Sequence, residues 1–170
     1  MTENKKDSSV KYDLISLLMK VMIFAALLAV TFFFIFGIHR CDDNMMSPAF
    51  KDGDLAVYYR LQKEFQPSDV VVIEKDGETQ VRRIVAKSGD RVEITAEGLK
   101  INGYFQQEAG IYTETLPYTE GISFPLTLGE EEYFVLGDNR FGAKDSRIYG
   151  AVKKEEIKGT IITLLRHRGF

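Results

Sequence analysis

Cysteine occurs once among the 170 residues, at Cys41, so an intrachain disulfide is excluded and a buried or idle thiol is expected there. Histidine occurs twice, and His39 and His167 stand at opposite ends of the chain as expected surface residues. Two histidines and one cysteine are too little material for a zinc site or a Cys–His nucleophile, and neither metal nor cofactor is expected. A stripe of one charge is also lacking: 22 Lys and Arg are interspersed with 25 Asp and Glu, for a net charge of −3. That balance excludes nucleic acid as a partner. No G-x-G or GKS/T pattern surrounds the glycines, so Gly89 and Gly137 are expected to serve turns that need positive φ, and not to cradle phosphate. Internal repeats and low-complexity linkers are absent as well.

What is present first is a long apolar run. From Val21 to Ile38, VMIFAALLAVTFFFIFGI, no residue is charged, and Ile15 to Met19 extends the run if Lys20 snorkels toward lipid headgroups. Residues 15–38 are therefore expected to form one transmembrane helix behind a cytoplasmic tail of residues 1–14. Lys5, Lys6, Lys11 and Lys20 precede or begin the run against Glu3, Asp7 and Asp13, while Arg40, Asp42 and Asp43 follow it. The lysine excess points the N-terminus to the cytoplasm and residues 39–170 to the outer side of the cell membrane. Gly37 to Arg40 offers no small-x-small cleavage site, and Arg40 ahead of Cys41 disfavours a lipoprotein signal.

Beyond Arg40, short runs rich in β-branched and aromatic residues alternate with Gly, Asp, Asn and Ser. Strands are expected at Leu55–Arg60, Val70–Glu74, Gln80–Val85, Arg91–Thr95, Leu99–Ile101, Glu132–Leu136 and Thr160–Leu165. Turns are expected at Lys51–Asp54, Lys75–Glu78, Ser88–Asp90 and Gly137–Asn139. The fold class implied is mostly β, a compact antiparallel domain without long helices. Residues 103–130 show weaker periodicity and read as a cap or loop insertion.

Three segments carry the remaining information: MMSPAFKDGD from Met45 to Asp54, RRIVAKSGD from Arg82 to Asp90, and GDNRFGAKDSRIYG from Gly137 to Gly150. Taken singly they are bland. Ser47-Pro48 reads as an extended dipeptide leading into a turn, because the proline ring disfavours the α region for Ser47. Asp145 and Arg147 would share one face of an extended segment, where they could pair with each other or with a turn carboxylate or backbone carbonyl. In this order behind an anchor, however, the segments resemble type I signal peptidases, particularly the short Gram-positive type with a single anchor. The last segment matches that family's pattern at Gly137, Asp138, Asn139, Arg140, Asp145, Ser146, Arg147 and Gly150, which the resemblance makes scaffold residues.

The family's patterns S-M-x-P-T-x-x-x-G-D and K-R-x-x-G-x-P-G-D put Met45 at the nucleophile position and Arg82 at the general-base position. The resemblance implies acyl transfer by a serine–lysine pair. A thioether has no proton to lose and a guanidinium stays protonated, so neither residue can take its family role. Ala143 falls where the family usually has a serine that orients the lysine. Asp43 stands where a small or hydroxyl residue helps form the oxyanion pocket, and an anion there opposes a developing oxyanion. Ser47 lies roughly 6 to 7 Å along an extended strand from Met45, too far to inherit the geometry, and Lys51, Lys87 or Lys144 would have to serve as a relocated base.

The leading expectation is thus a non-catalytic, membrane-anchored signal-peptidase-like protein. Its implied groove, at Asp43, Asn44, Met45, Met46, Ser47 and Pro48, would bind an exported polypeptide by strand addition. Signal-peptidase-like proteins with substituted catalytic residues act in pilus polymerisation in Gram-positive bacteria, and the resemblance extends to a pilin-type substrate or a sortase-like assembly enzyme as partner. Two alternatives stand beside it: an active signal peptidase with an unusual residue set, and a general β domain with no groove. Arg82 needs a carboxylate, with Asp43 and Asp145 as the choices, unless strand alternation turns it toward water.

Overall fold

The computed structural model describes residues 3–108 and 110–166, with side chains described from residue 12 onward. The side chains of Lys5, Lys6 and Lys11 and the position of His167 lie outside this range. The chain divides into two units, residues 1–36 and residues 37–170. In the first, helix α1 runs Glu3–Ile35, and its apolar stretch Tyr12–Ile35 spans 24 residues. At 1.5 Å per residue that stretch is about 36 Å long, enough to cross a bilayer core. Phe24 and Leu27, 64% and 62% exposed, present the surface a soluble helix would bury.

The apolar run does not stay helical to Ile38. Phe36–Arg40 forms strand β1, hydrogen-bonded beside β2 (Leu55–Tyr59). At Gly37 a Cβ would lie 2.6 Å from Cε1 of Tyr58, so glycine there leaves room for the Tyr58 ring against β1.

The second unit continues with β3 (Val70–Lys75), β4 (Glu78–Ala86), β5 (Arg91–Thr95), β6 (Gly98–Ile101), β7 (Tyr104–Phe105), β8 (Leu126–Thr127), β9 (Glu132–Leu136), the one-turn helix α2 (Ser146–Tyr149), β10 (Val152–Lys153) and β11 (Ile157–Leu165). Two sheets result, ordered β1-β2-β11-β3-β4-β9-β10 and β7-β6-β5-β8. The ladders β2–β11, β11–β3, β3–β4, β4–β9, β9–β10, β5–β6, β5–β8 and β6–β7 are all antiparallel. The fold is therefore mostly β with one apolar N-terminal helix.

Turn chemistry sets the registers. Asp76 and Gly77, with φ of 54° and 78°, close the β3–β4 hairpin, and Asn102 and Gly103, at 53° and 83°, close β6–β7. Both are the mirror-image turns whose twist suits a two-residue hairpin. The second hairpin makes the start of the 103–130 segment part of a sheet, and Leu126–Thr127 returns as its opposite edge. The described residues of 106–125 between them carry no regular element.

Strand β3 reads VVVI because both its faces are covered. Val71 and Ile73 pack with Phe65, Ile84, Tyr133 and Val135. Val72 and Val81 pack with Met46, Phe50 and Tyr58 on the opposite face. A third cluster, including Val92, Leu99, Phe134 and Leu136, joins the two sheets. Each such fully buried side chain contributes roughly 1.5–3 kcal/mol.

Candidate functional site

Met45 sits in a series of turns, and not in the extended strand expected for Asp43–Pro48. The local polar groups dictate this: Asp43 Oδ1 accepts from Met45 N at 2.9 Å, Asn44 O accepts from Ser47 N at 3.0 Å, and Met46 O accepts from Phe50 N at 2.9 Å. Side-chain and turn acceptors thus take amides that a strand ladder would use. Alternation between Met45 and Met46 survives in another form. Met46 is buried, its sulfur accepting from Asp138 N at 3.4 Å, whereas Met45 is half-buried beside the surface.

Arg82 is 1% exposed and lies on β4 opposite Val71. Its Nε and Nη2 both donate to the carbonyl of Lys144, at 2.9 and 2.8 Å, and Nη2 also donates to the Met45 sulfur at 3.0 Å. The same sulfur accepts from Lys144 N at 3.4 Å, so Met45, Arg82 and Lys144 form a closed triangle. Arg82 does not point into water. Of its two expected carboxylate partners, Asp43 stands 3.9 Å from Nη1 with a side chain 40% exposed, while Asp145 is committed elsewhere. Carbonyl oxygens and sulfur, more than a carboxylate, hold this buried cation.

The Gly137–Gly150 segment forms the back of the site. The Asp145 carboxylate accepts from Gly137 N at 3.1 Å and from Arg147 N, Nε and Nη2 at 3.1, 2.9 and 2.8 Å. The pair therefore forms at a helix N-cap, not along an extended face, because Asp145 caps α2 and curls Arg147 back onto itself. Ser146 Oγ accepts from Val135 N at 3.0 Å. Asp138 takes the Arg83 fork at 2.8 and 2.7 Å, which keeps that guanidinium even more firmly charged than usual. Asn139 N donates to Met45 O at 2.9 Å, tying the first segment to the third.

Gly137 does not serve a positive φ, unlike Gly89 at 85°. Its role is proximity: a Cβ at position 137 would stand 2.7 Å from Met45 O. Ala143 is fully buried, and its carbonyl accepts from Tyr118 Oη at 2.9 Å. Burial pushes the Tyr149 phenol well up, against the pull of the Arg82 guanidinium. Gln80 Oε1 is buried without a hydrogen-bond partner among the described residues.

Two arginines reach beyond the site. Arg140 donates to Gly137 O at 2.9 Å, to Thr115 Oγ1, and to Glu108 Oε1 at 2.6 Å. Arg147 donates to Leu116 O at 3.1 Å and lies 4.4 Å from the centre of the Tyr118 ring. Glu108, Thr115 and Tyr118 were not legible as partners, since nothing in their local pattern marks them. Of the lysines considered as relocated bases, Lys87 Nζ donates to Gln66 Oε1 at 2.8 Å and Lys144 Nζ to Glu78 Oε2 at 3.0 Å. Beside Asp43 and Met46, a cavity of about 30 Å³ is lined by His39, Cys41, Phe50 and Val81. Burial lowers His39 below its ordinary range, opposed by Asp42 and Asp43. Among the described residues no cluster of three or more His, Cys, Asp or Glu side chains is arranged to hold a metal ion.

The family described as signal peptidase, peptidase S26, matches residues 14–165. The chain belongs to this family. It is 30% identical over 171 residues to "Signal peptidase I" of Bacillus licheniformis, covering 92% of this chain and 88% of that one. "Signal peptidase I S" of Bacillus subtilis (strain 168) is 30% identical over 138 residues, 75% of each chain. A crystal structure of a signal peptidase I from Enterococcus faecalis V583 matches 59% of this chain and 98% of its own at 28% identity, with a TM-score of 0.48. The three segments that converge around Met45 all lie within the family match, and the apolar helix is compatible with a single-pass membrane anchor.

Proposed function

We propose that this signal-peptidase-like protein binds exported polypeptides at the membrane without cleaving them. The observation that carries the reading is the 3.0 Å contact between Arg82 Nη2 and the Met45 sulfur. Acyl transfer needs a nucleophile that can lose a proton and a base that can take it. A thioether cannot do the first, and a guanidinium, which stays protonated in proteins, cannot do the second. The Met45 amide, moreover, already donates to the Asp43 carboxylate at 2.9 Å. An N–H so engaged is unavailable to a developing oxyanion, and the neighbouring anion repels one.

Binding requires none of these groups. Residues Glu78–Arg82 of β4 pair with β3, whereas the pairing of β4 with β9 begins only at Arg83. The other ladder side of Glu78–Arg82, facing the Asp43–Pro48 turns, suits an added strand whose main chain supplies affinity. The partner in this reading is an exported, pilin-type polypeptide or a sortase-like assembly enzyme, and the role is assembly, as in pilus polymerisation. The lysine-rich N-terminus is cytoplasmic and the β domain extracytoplasmic.

The names of the relatives at 30% identity favour a second reading, an active signal peptidase working through other residues. Full-length protein in lipid vesicles, presented with a preprotein, separates the two. No cleavage is expected, together with crosslinking of an exported polypeptide from a photoreactive amino acid at position 45. Cleavage by the unmodified chain that disappears in Ser47→Ala would overturn the proposal.

A further inference from the structure

We propose that the cleft between the second sheet and the 106–125 insert is a docking pocket for one long-stemmed cationic side chain, lysine or arginine, of a partner polypeptide. The cleft is separate from the Met45 groove, and the inference does not depend on whether that groove binds or cleaves. It encloses about 210 Å³ between the β5–β6 turn, Phe105, and residues Ile111 to Leu116. Its apolar walls, Leu99, Phe105, Ile111 and Leu116, suit a methylene stem.

The residues that line it carry charge of one sign, while Lys100 and Arg140 reach its carboxylates from outside the lining. Glu97, Glu108 and Glu114 line it, and none of its lining residues is basic. Two of the three carboxylates are matched within the chain: Glu97 by Lys100 at 3.0 Å, and Glu108 by Arg140 at 2.6 Å. Glu114 forms no ion pair among the described residues. One negative charge is therefore left over, which a single cationic head would complete.

The chain carries its own example of this chemistry at the rim. Lys100 Nζ lies 4.2 Å from the centre of the Phe105 ring while it pairs with Glu97, so an ammonium already rests on one wall of the cleft against an aromatic face and a carboxylate. The opposite wall is held from behind by buried arginines. Arg140 binds Glu108 and Thr115, and Arg147 binds the Leu116 carbonyl at 3.1 Å. The insert is thus fixed before a ligand arrives, which spares the ordering entropy that a free loop would lose on binding.

The test uses full-length, isotope-labelled protein in detergent micelles, titrated with Nα-acetyl-lysine methylamide while the amide signals of Gln106, Thr113 and Thr115 are followed. Saturable shifts at millimolar concentration are expected, and Glu114→Gln, an exposed change that spares both arginine contacts, should weaken binding roughly two- to fivefold. The norleucine analogue, which has the stem without the charge, should shift these signals weakly or not at all. Equal response to norleucine, unchanged affinity in Glu114→Gln, or no saturable shift would overturn the proposal.

Discussion

Arg82 and Met45 are coupled by an N–H···S contact of 3.0 Å, with the Lys144 carbonyl accepting two further bonds from the same guanidinium. Arg82→Lys keeps the charge but cannot reproduce the fork. It should cost about 1–3 kcal/mol in urea denaturation, the range for stripping partners from buried polar groups. Met45→Ala, at a half-buried position, should cost less, and the double variant should lose less than the sum of the singles. Strict additivity in that cycle would show that the contact contributes nothing.

A different kind of failure is expected at Asp145. Its carboxylate is fully buried and satisfies Arg147 three times, Gly137 once. Asp145→Asn leaves the Arg147 guanidinium buried beside a neutral amide, and breaking a buried pair this way costs about 3–5 kcal/mol. Loss of the cooperative unfolding transition at room temperature is the expected readout. A midpoint within experimental error of the parent would show that carbonyls alone suffice for Arg147.

The contrast with Arg140 separates global from local stability. Its Glu108 partner is on the insert, and the ion pair fastens that segment to the Gly137–Gly150 scaffold at 2.6 Å. Glu108→Gln should leave the denaturation midpoint nearly unchanged while raising the rate of limited proteolysis within residues 106–116 severalfold, because local opening needs only the fasteners to give way. Equal resistance to protease in both proteins would count against the arginine as a fastener.

Much of this architecture was legible in the residues because each strand has a local cause. The alternation in Arg91–Thr95 is the pleat itself, Glu132–Leu136 is a short apolar run buried on both faces, and both strands have the bounds the residues predict. The hairpin at Asn102-Gly103 was missed although its turn residues carry the signal, because β7 is two residues long and offers no periodicity to notice, and the segment reads as a loop. The end of the apolar helix was harder. Composition continues smoothly through Phe36 to Ile38, and the pairing of β1 beside β2, with the Tyr58 ring lying against Gly37, is a tertiary feature that composition does not announce.

The site was legible as identities and not as geometry. Which residues stand at positions 45, 82 and 143 follows from the segments, yet the closing member of the triangle is the backbone of Lys144, which no side-chain pattern can announce. Likewise Asp145-x-Arg147 was read as an extended pair because alternation is the default for isolated residues. The capping preference of Asp145 overrode it.

Cys41 gives a prediction whose sign depends on burial. Desolvation first, then the carboxylates of Asp54, Asp43, Asp42 and Asp52, raise its thiol from 9.0 to about 11. The unfolded chain therefore releases this proton earlier than the folded one. Between about pH 9 and pH 11 the unfolded state binds fewer protons, so the free energy of unfolding falls as pH rises, by at most about 1.4 kcal/mol per pH unit. The contribution is fully present below the unfolded pKa and lost as pH climbs through the folded one. Lysine and tyrosine residues titrate in the same range, and Cys41→Ala serves as the reference that shares them. The wild-type denaturation midpoint should decline more steeply than that of Cys41→Ala from pH 8 to pH 11, and alkylation of the native thiol at pH 8 should be slow until denaturant is added. Parallel pH profiles, or rapid native alkylation, would mean that the thiol ionises as freely as in the open chain and that the surrounding carboxylates exert no field on it.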